Sequence, residues 1–282
     1  MKRTSRVQNS QRVGVALGGG ATLGVAHVGV LKALVESKIP IDCISGTSAG
    51  SLVAACFAFG VPLPQMVEVA GDMSWKKFSK FGRSRLGISS NEPMGTFITD
   101  VLGDVLIEDA HLPLAVVATD IEARTMVILR SGRLRDAVRA STSMPGVFVP
   151  VEIDGRLLVD GGLMENVPLT ALAQMGATFR IGVNLFARQS TTRPRHIVDI
   201  ISSAFSVLSS HRDKVLAEAD YMIEPDTSMF DMTKFKDIEQ VIDEGYRATK
   251  AVIPELQAKL LQSRASAEEG WLGRLRRRFG VY

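Results

Sequence analysis

Val13 to Leu17 is a short unbroken apolar run that ends in Gly18-Gly19-Gly20, the pattern of a strand buried on both faces and closed by a tight turn. From Gly24 to Lys38 the period changes. Val25, Val28, Leu31, Ala33, Leu34 and Val35 recur at helical spacing, and Lys38 and Pro40 close the segment. Ile41–Ser45 reads as a second short strand. Ala49 to Phe59 is apolar nearly all round, the mark of a buried helix, and Gly60 and Pro62 stop it. Strand, helix, strand and helix in such quick succession predict parallel strands joined by right-handed crossovers.

Beyond these, Leu114–Thr119 and Thr125–Leu129 read as strands, the second leading to a turn at Ser131-Gly132. Val147–Ile153 and Arg156–Val159 flank the hairpin signal Asp154-Gly155. Pro168 opens a helix to Met175, and Gly176 caps it. Phe179–Leu185 is another buried strand, and two helical stretches, His196–Ala219 and Asp237–Leu261, bracket the short run Tyr221–Glu224. With no repeat and no low-complexity linker, the pattern predicts a single α/β domain over residues 13–262. A tail of residues 1–12 precedes it, and a basic amphipathic tail of residues 263–282 follows.

Composition narrows the class. Of 282 residues, 46% are hydrophobic and 22% charged, enough apolar material for a large core. The formal net charge of +3 gives no global field for nucleic acid, and none is expected as partner. Two cysteines, Cys43 and Cys56, exclude a disulfide framework and a four-cysteine zinc site, and they fit a reducing compartment. The basic start MKRTSRVQNSQR has no apolar run of signal-peptide type behind it. The longest apolar stretch, Ser51 to Ala70, is broken by Pro62, Pro64, Gln65 and Glu68. The expectation is a cytoplasmic protein, associated at most with the inner membrane surface.

Three stretches carry candidate chemistry. Gly46-Thr47-Ser48-Ala49-Gly50 is a G-x-S-x-G between a strand and a helix, the context of a nucleophile elbow, with Gly46 and Gly50 leaving room for a sharp turn under Ser48. Gly18-Gly19-Gly20 also sits between strand and helix, where bare amides can bind negative charge. Its spacing to Gly24 is one residue longer than a dinucleotide fingerprint, and Asp42 lies too early in its strand to reach a ribose. An oxyanion hole is the better reading, Gly19 and Gly20 being its leading donors, and no cofactor is expected. Asp160-Gly161-Gly162 ends a strand, where an acid can point into a cleft or merely cap a turn. No histidine has the look of a buried base: His27 is in the first helix, His111 in a loop, and His196 and His211 lie among polar residues. A Ser48–Asp160 dyad, the carboxylate taking the serine proton directly, is the economical proposal. Asp120, Glu165 and Asn166 lie near these motifs, with catalytic support and turn structure both open to them.

In their order along the chain, GVALGGGATLGVAHVGVLKAL, GTSAGS and ASTSMPGVFVPVEIDGRLLVDGGLMENVP resemble the patatin-like phospholipases, especially the small bacterial ones, over roughly residues 13 to 185. The resemblance implies a three-layer α/β/α fold with a mainly parallel sheet. It also implies an acyl hydrolase with Ser48 as nucleophile, Asp160 as base and a lipid ester as substrate. Leu23 stands where the family usually carries Arg or Lys, which motivates the alternative of a weak or inactive binding protein on the same fold. No metal is expected, since no H-E-x-x-H or calcium loop is present.

A lipid substrate calls for an interface. Trp75, Phe78 and Phe81 recur every third residue among Lys76, Lys77, Lys80, Arg83 and Arg85, which fits either a membrane-facing stripe or a helix with its aromatics turned into the core. In the tail 271–282, Trp271, Leu272, Leu275 and Phe279 oppose Arg274, Arg276, Arg277 and Arg278, the pattern of a peripheral anchor and equally of a nucleic-acid-binding or disordered tail. Oligomeric state is not legible from the sequence.

Overall fold

The structure, a computed structural model, describes residues 11–71, 78–81, 84–187, 200, 203–204, 207, 219–232 and 234–279, with side chains to residue 266. In chain order its strands are β1 (Val13–Leu17), β2 (Cys43–Thr47), β3 (Lys80–Phe81), β4 (Gly87–Ser90), β5 (Leu114–Asp120), β6 (Thr125–Leu129), β7 (Gly146–Phe148), β8 (Val151–Ile153), β9 (Arg156–Asp160), β10 (Phe179–Val183) and β11 (Tyr221–Ile223). Its helices are α1 (Ala26–Glu36), α2 (Ala49–Ala58), α3 (Leu63–Gly71), α4 (Glu92–Leu102), α5 (Leu134–Ser141), α6 (Leu169–Gln174) and α7 (Ile238–Phe279).

The main sheet runs β11-β10-β1-β2-β5-β9-β8, with β6 also paired to β5. From β11 to β5 every pairing is parallel, while β6, β8 and β9 pair antiparallel. Both faces are covered, and the strands alternate between them. Val13, Val15, Leu17, Ile44, Leu114 and Val116 join the core packed under α1, α2 and α7. Ala16, Cys43, Ala115 and Val117 join the core under α6. This alternation, with no polar face, is why the strands read as solid apolar runs.

One crossing in this sheet matters for the site. β2 pairs with Leu114–Val117 of β5, β9 with Ala118–Asp120, and β6 with Val116–Asp120. Because β6 occupies one edge, β2 and β9 must follow each other along the opposite one. Thr47 is registered on Val117 and Asp160 on Ala118, so the ends of β2 and β9 meet.

Several elements differ from the sequence expectation. β2 runs two residues further, because Ser45 and Thr47 satisfy their hydroxyls on the carbonyls of Pro168 (2.8 Å) and Glu165 (3.1 Å). The expected strand Val147–Ile153 is broken at Pro150, which has no N–H to donate, and its halves join different sheets: β7 pairs with β4, β8 with β9. Pro64 and Pro93 sit in the first turns of α3 and α4, where no N–H is needed; as punctuation they concealed both helices. α7 packs on α1 at a very close crossing, a Cβ on Gly29 falling 1.9 Å from the Ile242 carbonyl oxygen and one on Gly245 2.1 Å from that of Ala26. Its backbone continues helical across residues 262–263 to Phe279, and the proposed anchor face lies on side chains outside those described. No described helix is long and apolar enough to cross a membrane.

Candidate active site

Ser48 caps α2 in a left-handed backbone conformation, φ 52 and ψ −127. A non-glycine residue there carries roughly 1–3 kcal/mol of strain, held in place by its surroundings. Its N–H donates to Ser141 Oγ (2.9 Å), whose own hydroxyl donates to the Val117 carbonyl (2.6 Å). Its carbonyl accepts from Ser51 N–H (2.9 Å) and Ser51 Oγ (2.6 Å). The flanking glycines are sterically required. A Cβ on Gly46 would lie 2.5 Å from the Gly50 carbonyl oxygen, and one on Gly50 2.2 Å from that of Leu17. The turn therefore lifts Ser48, half-buried, to the positive end of α2.

Asp160, 1% exposed, ends β9 beside it. Oδ1 accepts from Gly162 N–H (2.9 Å), and the Asp160 backbone N–H donates to the Ser143 carbonyl (2.9 Å). Gly161 packs so tightly that a Cβ would fall 2.3 Å from the Val117 carbonyl oxygen. Burial pushes the carboxyl up to about 7, against the opposing pull of the Ser48 hydroxyl and the Gly162 amide. The Ser48 side chain is close enough to favour the ionised form, and among the described residues Oδ2 has no hydrogen-bond partner.

The glycine loop corrects one expectation. The β1–β10 ladder extends one residue, so Gly18 N–H donates to the Val183 carbonyl (3.1 Å) and drops out of the candidate oxyanion donors. Gly19 N–H is shared between Asn166 O (3.3 Å) and Oδ1 (3.2 Å). Gly20 N–H makes no hydrogen bond among the described residues. The Gly18–Gly19 peptide is gripped from its other side as well, by His27 Nε2 at 2.7 Å from the Gly18 carbonyl oxygen. A carbonyl only accepts, so Nε2 carries the proton; burial lowers this histidine to about 4, which keeps it neutral. His27 is therefore buried after all, but against the loop. Neither it nor His111 lines the pocket at Ser48, while His196 and His211 lie outside the described residues.

The other polar candidates resolve. Asp120 Oδ1 accepts from Glu122 N–H (3.0 Å) and Ala123 N–H (2.9 Å), forming the β5–β6 turn. Glu165 Oε1 accepts from Thr170 N–H (2.9 Å) at the start of α6. Asn166 is the clamp on Gly19. Ser141 and Asn91 were not singled out by sequence, since a serine ending a helix and an asparagine before one carry no distinctive pattern. Asn91, 2% exposed, donates to Arg139 O (2.7 Å) and Ser143 Oγ (3.0 Å), tying α4 to the segment under Asp160.

Ser48 and Asp160 open into one pocket of about 720 Å³ including its mouth, lined mainly by apolar groups such as Leu52, Val53, Met94 and Phe148. Phe78 belongs to that lining. It is 4% exposed and packs edge-on against Phe97 (5.3 Å between ring centres) and beside Phe235 (5.7 Å). Of the two readings open for it, membrane-facing stripe or core, Phe78 takes the second: the ring gains more from the pocket wall than from solvent. Trp75 and the side chain of Phe81 lie outside what is described. Leu23 is 4% exposed within the core and does not line the pocket. Among the described residues no group of three or more His, Cys, Asp or Glu could hold a metal ion.

A sheet switching from parallel to antiparallel at a Ser–Asp pair, over a glycine loop, defines a class that comparison makes explicit. Residues 15–173 match the family described as patatin-like phospholipase, and the chain belongs to that family. An uncharacterized NTE family protein of Mycobacterium tuberculosis is 37% identical over 183 residues, 64% of this chain and 51% of that one. A lysophospholipase of Yarrowia lipolytica is 31% identical over 212 residues, 72% of this chain and 15% of that one. The chain thus spans about half the length of the mycobacterial relative and far less of the other. VipD from Legionella pneumophila superimposes with a TM-score of 0.60 at 14% identity, over 87% of this chain and 67% of that one, a likeness of fold.

Proposed function

We propose that this protein is a serine hydrolase of lipid carboxylic esters, working through an acyl-Ser48 intermediate with Asp160 as its base. The observation that carries the reading is a buried carboxylate, raised to about 7, set against the hydroxyl of a strained elbow serine inside an apolar pocket. Ser48 Oγ attacks the ester carbonyl as its proton passes to Asp160. The negative oxygen that forms is met by the N–H groups of Gly20 and Ala49, the latter an orphan donor in the first turn of α2. Collapse expels the alcohol, which takes the proton from Asp160. Water, deprotonated by the same carboxylate, then releases the acid and restores Ser48. Family membership and the naming of one relative as a lysophospholipase support a lipid substrate. The test is incubation with a mixed phospholipid and lysophospholipid extract, followed by mass analysis of released fatty acid. Wild type is expected to release it and Ser48→Ala not to; equal release from both defeats the assignment.

Two further outcomes follow. The base must be ionised to accept a proton, so kcat/KM is expected to rise about tenfold per pH unit below about 7 and level off above it. A profile flat from pH 5 to pH 8 would exclude Asp160 as the titrating base. His27 grips the Gly18 carbonyl oxygen and so fixes the Gly18–Gly19 peptide that precedes the Gly20 amide assigned here to the oxyanion. His27→Phe is expected to lower kcat on the order of 10–100-fold at nearly unchanged KM, as for a misplaced oxyanion donor. His27→Gln, whose amide nitrogen can reach the Nε2 position, should recover most of it. Equal loss in both variants would reduce His27 to packing.

A further inference from the structure

A second, narrow cavity, about 340 Å³ including the open space at its mouth, lies between α1, α2 and α3, and nothing in the chemistry at Ser48 uses it. Its lining is entirely apolar, including Val28, Cys56, Met66, Val69, Ala70 and Val101. Burial pushes the Cys56 thiol up to about 12, so it too is a neutral surface. Such a cavity offers water no partners. It adjoins the active-site pocket: Val25, Leu52 and Val53, all buried, line both cavities and form the wall between them.

The two cavities follow one face of α2. Ser48 and Ala49, then Leu52 and Val53, then Cys56 recur at four-residue spacing from the nucleophile into the second cavity. Eight residues of helix span about 12 Å. A bilayer hydrocarbon core of about 30 Å is two acyl chains deep, so one chain reaches about 15 Å. An acyl group anchored at Ser48 and lying along α2 therefore ends in the second cavity if it is of membrane length, and within the first if it is short.

We infer that the cavity between α1, α2 and α3 is the distal half of the acyl site, receiving the end of a membrane-length fatty acyl chain past Leu52 and Val53 and setting chain-length preference. This rests on the acyl-hydrolase reading for its catalytic consequence, and on cavity geometry alone for its binding consequence. Val69 and Ala70 line only the distal cavity, so they can fill it without touching the pocket at Ser48.

The test uses the full chain with Val69→Phe, and Ala70→Leu as a second filling variant, on butyryl, octanoyl and palmitoyl p-nitrophenyl esters. A methylene placed in an apolar site is worth about fourfold, so several excluded methylenes should cost 10–100-fold. Both variants are expected to keep the butyryl rate within twofold of wild type and to lose palmitoyl kcat/KM by that factor. Calorimetric binding of the free fatty acids to Ser48→Ala, with and without Val69→Phe, separates the two readings. Length-dependent affinity abolished by Val69→Phe supports the distal site even if no ester is turned over, in which case only the hydrolase reading fails. Chain-length profiles unchanged by both substitutions, in binding and in turnover, overturn the inference.

Discussion

Asp160→Asn is expected to melt higher than wild type at pH 8 and to hydrolyse esters about 10³–10⁴-fold more slowly. The same carboxylate gives both effects. Its folded value of about 7 lies above the ordinary 3.8, so between those limits the folded chain keeps a proton that the unfolded chain releases. Stability contributed by this group is therefore full below 3.8, declines as pH rises, and is lost above about 7, where the site holds a buried ionised carboxylate. A neutral amide of the same shape escapes that penalty, on the order of 4 kcal/mol at pH 8, and the gain should vanish near pH 4. Thermal melts of both proteins at pH 4 and pH 8 check the sign. A variant less stable than wild type at pH 8 would mean that Asp160 is paired by something stronger than the Ser48 hydroxyl and the Gly162 amide.

Ser48→Ala is expected to abolish turnover to the limit of detection, at least about 10⁴-fold, while leaving the fold intact. Ser48→Gly should be equally inactive and more stable by roughly 1 kcal/mol, because glycine adopts φ 52 without the cost a side chain meets there. Activity and stability thus move in opposite directions at both members of the pair. A Ser48→Gly protein that melts below wild type would remove the argument from backbone strain. A Ser48→Ala protein with residual turnover within tenfold of wild type would place the nucleophile elsewhere.

What was legible in the sequence follows the physics of each feature. The elbow could be read because its glycines answer backbone clashes of 2.2 to 2.5 Å, one within the turn and one against the end of β1, and such constraints leave a residue-type signature. The buried strands could be read because both faces are covered, giving solid apolar runs. The meeting of Ser48 and Asp160 was inferable as a need of the chemistry and as what the family resemblance implied, not from any pattern in the fold. Its cause, β9 following β2 along one edge of β5, is a long-range pairing that no local pattern carries. For the same reason Gly18 was counted as a donor: its partner, Val183, lies on a strand far along the chain. His27 read simply as a position in the first helix, since its hydrogen bond is to a carbonyl nine residues back brought over it by the glycine turn. Phe78 was undecided between membrane and core because a stripe of aromatics and lysines satisfies either, and only the neighbouring Phe97 and Phe235 settle it.

The most direct measurement is the rate at which a fluorophosphonate adds to the protein, followed by mass spectrometry of its peptides from pH 5 to pH 9. The adduct should form on Ser48, at a rate climbing through the pH region near 7 in wild type and slow at every pH in Asp160→Asn. An adduct on another residue, or an Asp160→Asn protein labelled as fast and with the same pH dependence as wild type, would contradict the account.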